Sequence, residues 1–160
     1  MRQFDTMLPL SEVRDLADEV RRLFDDLDRG RDRSLTPTGI VTPGLDVVET
    51  DEGIEILLDV PGIGASQIRI LIKGGVVVIV GEKTPPDPSE RADATFHLVE
   101  RGFGRFARAV RLNGAYHSGR ARATLREGEL RIRVPRIEER RGGEIAVTVE
   151  DESGAVNDAG

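Results

Sequence analysis

The stretch that most constrains the fold lies at residues 123–135, ATLREGELRIRVP. Ala123 and Leu125 alternate with Thr124 and Arg126; Leu130, Ile132 and Val134 alternate with Arg131 and Arg133. A period of two, with one apolar and one charged face, predicts two half-buried strands. Glu127 and Gly128 supply the turn between them, because glycine tolerates the positive φ that tight hairpins need. Pro135 has no N–H for a ladder and is expected to end the pairing. The chain then runs mostly polar before one more apolar pair, Ile145 and Val147.

The same alternation recurs upstream. Residues 45–50 read as a short strand, Asp51, Glu52 and Gly53 as a turn, and Ile54, Ile56, Leu58 and Val60 as the next strand. Pro61 and Gly62 break the chain, and Ile68, Ile70 and Ile72 follow on one face. Gly74 and Gly75 turn it back into residues 76–80, a solid β-branched run of the kind a strand buried on both faces carries. Residues 104–112 read as a further strand. Strands divided by turns, with no helical period among them, predict an all-β fold, an antiparallel immunoglobulin-like β-sandwich.

Between residues 83 and 105 lies a loop that is long for a compact domain. It carries an apolar piece, Thr95, Phe96, His97, Leu98 and Val99, a candidate strand that pairs with its own sheet or with a partner's edge. Ahead of the sandwich, Ser11 is placed to cap a helix whose stripe is Val13, Leu16, Val20, Leu23, Phe24 and Leu27, ending at Arg29 and Gly30. That stripe either docks on its own domain or meets other subunits and clients. The organisation is therefore a helical N-terminal arm at 1–43, a domain at 44–136 and an extended tail at 137–160.

Charge and composition narrow the function. The 160 residues carry a net charge of −6, which disfavours a duplex nucleic-acid binder. There is no cysteine, hence no disulfide framework and no thiol chemistry. The opening residues lack a basic run followed by an apolar core, and no apolar run is long enough to span a membrane, so a cytoplasmic location is expected. His97 and His117 are the only histidines, and neither has a neighbour at metal-ligand spacing. Asp46 and Asp59 invite a paired-carboxylate reading, but acidic residues are common here and no nucleophile motif accompanies them. Neither enzymatic activity, nor a metal, nor a cofactor is expected.

Residues 102–107, GFGRFA, imitate two known patterns. A dinucleotide fingerprint needs a helix immediately after it, and here a strand is predicted. An RNA-recognition sheet displays aromatics for base stacking, which makes a single-stranded RNA-binding module one alternative function. The simplest reading is a glycine-rich bend with Phe103 and Phe106 as packing groups. Ile145-Ala146-Val147 reads as a final strand closing its own sheet, as a chance apolar pair in a tail, or as strand-like docking into a groove on another subunit, with Val147 and Val149 as a second register at the same spacing. The nine residues between Pro135 and Ile145 reach about 30 Å when extended.

Taken in order, these pieces resemble one family. LDVVE at 45–49, LDVPG at 58–62 and VGEK at 80–83 resemble the first half of an α-crystallin domain. ERGFGRFAR at 100–108 is similar to the stretch around that family's central arginine. Residues 123–135 resemble its A-x-x-x-x-G-x-L signature with the closing V-P, and Ile145-Ala146-Val147 its I-x-I/V tail motif. One departure is Leu112-Asn113, where the family usually has Leu-Pro. The chain resembles a bacterial-type small heat-shock protein.

The resemblance implies an ATP-independent holdase that binds partly unfolded proteins and passes them to ATP-driven refolding chaperones. It implies homodimers that exchange the strand at 95–99, with Arg108 as the interface arginine, and larger oligomers built by tail docking. It also makes the arm residues Val13 to Leu27 the place where clients and other subunits bind. A monomeric co-chaperone or adaptor with the same sandwich is the nearest alternative.

Overall fold

The alternations of the sequence become two stacked antiparallel sheets in the computed structural model, which describes residues 10–29 and 39–137. The chain opens with α1 (Leu10–Asp28) and continues through β1 (Leu45–Glu49), β2 (Gly53–Asp59), β3 (Ile68–Lys73) and β4 (Val76–Lys83). After the long loop come β5 (Gly104–Arg111), β6 (Arg122–Arg126) and β7 (Glu129–Pro135). One sheet has the order β1-β2-β7-β6, the other β3-β4-β5. The expected sandwich is present, and its strands fall within a few residues of where the period of two places them.

Register explains the core. Ile54 lies opposite Val134, Ile56 opposite Ile132 and Leu58 opposite Leu130, and all six side chains are buried. They meet Val77, Ile79, Phe106 and Val110 from the second sheet. The hairpin turn at Glu127 and Gly128 has positive φ at both positions, 53° and 83°. That is the geometry whose twist matches the flanking strands. At Gly81, opposite Phe106 in the register, an added Cβ would fall on the Phe106 ring. The glycine is there so that the ring can lie flat across β4.

The β-branched run is buried on both faces, as its composition implies. Val77 and Ile79 point into the sandwich, whereas Val78 and Val80 point outward and are covered by α1. Ser11, expected ahead of the helix, lies within the span of α1. Pro135 does not end all pairing. It stands opposite Gly53, its carbonyl accepts from the His117 N–H at 2.7 Å, and the Ile137 N–H donates to the Ala115 carbonyl at 2.8 Å. A missing N–H removes one donor only, and the loop at 115–117 bonds the groups that remain.

Candidate interaction surfaces

The loop at 84–103 joins β4 to β5. Residues 95–99 form no ladder with either sheet of their own chain. Phe96, Leu98 and Val99 are 61%, 73% and 69% exposed, three exposed large apolar side chains within five residues. With Pro85, Pro86 and Phe103 they line an open cavity of about 780 Å³. Phe103 anchors the base of the loop, its ring 5.0 Å from the Arg101 guanidinium and 5.8 Å from Lys83 Nζ.

The second glycine of GFG has a positional reason. Gly104 and Gly39 lie against each other, and a Cβ on either would strike the other segment's backbone. The close approach lets the Arg105 N–H donate to the Gly39 carbonyl at 2.9 Å and the Val41 N–H to the Arg105 carbonyl at 3.0 Å. The connection into β1 is thereby stitched to the edge of β5. Arg108 reinforces the same seam by donating to the Pro43 carbonyl at 2.9 Å. The predicted interface arginine thus sits where the two sheets meet beside β1, an outer strand.

Alternation also separates Arg105 from Arg108. They lie three residues apart on one strand and so point to opposite faces. Arg105 points outward and is a hub: its Nε donates to buried Glu82 at 3.0 Å, it pairs with Asp28, and its guanidinium lies 5.2 Å from the Phe24 ring. Sequence reasoning singled out Arg108 and missed Arg105, although the period of two already put them on different faces.

Along α1, Leu16, Val20, Leu23, Phe24 and Leu27 pack on Leu71, Val76, Val78 and Val80. Of the six stripe residues, only Val13 is exposed. Acids on the helix meet bases on the flanking strands: Glu12 pairs with Arg111, Glu19 with Lys73, Asp26 with Arg69 at 3.0 Å, and Asp28 with Arg105. The hydrogen bond from Lys73 holds the Glu19 carboxyl below its ordinary range. Three acids close the helix at its C-terminal end, where the macrodipole disfavours negative charge, and its last turn holds no basic residue. Arg69 and Arg105 of the sheet supply the cations that the helix itself lacks.

Behind the sandwich, Tyr116 is buried with its hydroxyl donating to Glu49 Oε1 at 3.1 Å. Burial, then that hydrogen bond, pushes its phenol up from the ordinary value. A strand, not a helix, follows GFGRFA, which removes the dinucleotide fingerprint. Of the two phenylalanines, Phe106 is 2% exposed within the core, and Phe103 is half-buried at the base of the loop beside Arg101 and Lys83. Ile145, Val147 and Val149 lie outside the described residues. No helix among the described residues is long and apolar enough to cross a membrane.

Two packed antiparallel sheets, a long apolar-tipped loop and an outer helical arm define an α-crystallin-type β-sandwich. Residues 46–150 match the model of the Hsp20/alpha crystallin family. Small heat shock protein C2 of Rickettsia felis is 30% identical over 105 residues, covering 66% of this chain and 67% of its own. The chloroplastic 26.7 kDa heat shock protein of Oryza sativa is 27% identical over 138 residues. That match covers 84% of this chain but only 58% of the rice protein. Heat shock protein 16.0 from Schizosaccharomyces pombe shares the fold with a TM-score of 0.59 at 21% identity, covering 69% of this chain and 99% of the solved one. The hspA structure from Xanthomonas axonopodis matches with a TM-score of 0.52 at 29% identity, over 62% of this chain and 96% of its own. The chain belongs to the Hsp20/alpha crystallin family, the small heat-shock proteins, a family of chaperones.

Proposed function

We propose that this chain is an ATP-independent holdase, assembled from dimers into a larger oligomer, that keeps partly unfolded proteins from aggregating until ATP-driven chaperones refold them. The observation that carries the reading is the exposure of Phe96, Leu98 and Val99 on the long loop. Three large apolar side chains held in water mark an association surface, since each gains about 1.5–3 kcal/mol on full burial. β1 is an outer strand, and the exchanged segment of a second copy adds to that edge, next to Arg108. On the opposite side, half-buried Ile70 and Ile72 on β3 and Leu125 on β6 support a docking place for the tail residues Ile145 and Val147. A structure from Xylella fastidiosa with the same fold is described as having a distinct high order structure.

Sedimentation of two variants tests the assembly. Phe96→Ser with Leu98→Ser should shift the assembly towards monomers. Ile145→Ala with Val147→Ala should leave dimers and remove the larger species. A wild-type chain that sediments as a monomer at all concentrations would contradict the oligomer and favour the adaptor.

A further inference from the structure

α1 occupies a face with a definite chemistry. Its centre is a row of aliphatic side chains, Leu71, Val76, Val78 and Val80. Its rims are basic, with Arg69 and Lys73 on β3 and Arg105 and Arg111 on β5. Nothing in this pattern is particular to α1. Any amphipathic helix with acids flanking its apolar stripe presents the same complement, because helix faces are defined by spacing and not by chain identity.

The occupancy of α1 is conditional. The helix carries seven acidic against three basic residues and has acids at the end where its own dipole opposes them. It is favoured on the sheet and disfavoured off it. The buried residues between the two sheets form a core separate from the cluster beneath α1. Lifting the helix would leave that core closed and uncover aliphatic surface flanked by Arg69, Lys73 and Arg111, and by Arg105, which stays paired with Glu82 of β4.

We propose that the outer face of β3, β4 and β5 is a receptor groove for acid-flanked amphipathic helices of partly unfolded clients, with α1 as its resident competitor. The inference rests on the client-holding reading and places a client site on the sheet under the arm. Apolar contact supplies the attraction, and the four rim bases select against clients whose helices carry basic flanks.

The test uses the full chain and a fluorescein-labelled synthetic peptide of residues 10–28 as the probe. In the wild-type chain the tethered α1 holds the groove through its high effective concentration. Two variants lift it: Leu23→Asp, which puts a charge into the apolar stripe, and Glu19→Lys with Asp26→Lys, which reverses the β3 side of the ion pairing. Both alter α1 alone, and circular dichroism of the sheets checks that the sandwich is retained. By fluorescence anisotropy each variant should bind the peptide about tenfold more tightly than the wild type. A second peptide, with Glu12, Glu19, Asp26 and Asp28 replaced by Lys, should bind about tenfold more weakly to Leu23→Asp, and the difference should close in about 0.5 M salt.

Equal peptide binding by the wild type and both variants overturns the groove, and so does indifference to the flanking charge. Light scattering on the same preparations separates this from the holdase reading. A variant that suppresses client aggregation without binding the peptide overturns the groove and leaves the holdase standing. One that binds the peptide but suppresses nothing overturns the client as occupant. Growth of assembly mass with concentration that the free peptide reverses identifies the α1 of a second copy as the occupant, and also overturns the client assignment.

Discussion

Leu27→Ala separates two energetic roles that α1 could have. Leu27 is 2% exposed and fills the space between the helix and Val78 and Val80. Cutting it to alanine in a closed core would cost the transfer energy of the lost carbons plus a cavity, about 2–5 kcal/mol. Here the partners lie on two bodies that can part, so the cavity is relieved by undocking. The expected loss is the transfer part, about 2–3 kcal/mol, and it falls on the docking equilibrium. That multiplies the undocked fraction of α1 roughly 30- to 150-fold. Hydrogen exchange read by mass spectrometry should show the α1 amides exchanging faster by that factor. The β4 amides should stay protected, because they are held in ladders with β3 and β5. Unchanged α1 exchange would refute the docking energy. A fall in the melting temperature of the sandwich matching the full 2–5 kcal/mol would refute the separation of the two apolar clusters.

Three further outcomes follow from the same geometry. Gly81→Ala pushes a methyl group against the buried Phe106 ring, and thermal melting should show a loss of about 1–3 kcal/mol; an unchanged midpoint would mean that the ring moves freely. Tyr116 is the only tyrosine in a chain without tryptophan, so absorbance near 295 nm reports it alone. Its phenol is raised by burial and by Glu49, so its contribution to stability is complete below the ordinary phenol pKa of about 10 and is lost as pH rises through the higher folded value; ionisation at or below the ordinary value would contradict the buried hydrogen bond. Glu19 titrates in the opposite sense: its carboxyl is lowered by Lys73, so its share of α1 docking is present above the ordinary carboxylate range and lost as pH falls through the folded value. Exchange of the α1 amides should accelerate on acidification, and Lys73→Met should remove that acceleration.

The period of two carried most of the fold. The hairpin at 123–135 was legible because its apolar face, its Glu127-Gly128 turn and its register agree, and each is a local property. The run at 76–80 announced burial on both faces, although nothing in it said that a helix would supply the second cover. Longer-range features were not legible. The pairing of Arg105 with Asp28 spans 77 residues, and Gly39 crosses Gly104 from the far side of four strands. Such contacts are fixed by how the sheets stack, which no local window contains. The loop at 95–99 has strand-like composition without a strand partner in its own chain, since composition records what a segment can pair with and not where the partner is. Pro135 looked like a stop because its missing donor is visible in sequence, while the acceptors and donors of 115–117 that prolong the pairing are not.

Holdase action is read most directly by light scattering from a heat- or reductant-denatured client protein, incubated with this chain and no ATP. Scattering should fall progressively as subunits are added and be suppressed by the point of molar excess, without nucleotide. Scattering that rises undiminished at molar excess of folded, assembled protein would contradict it.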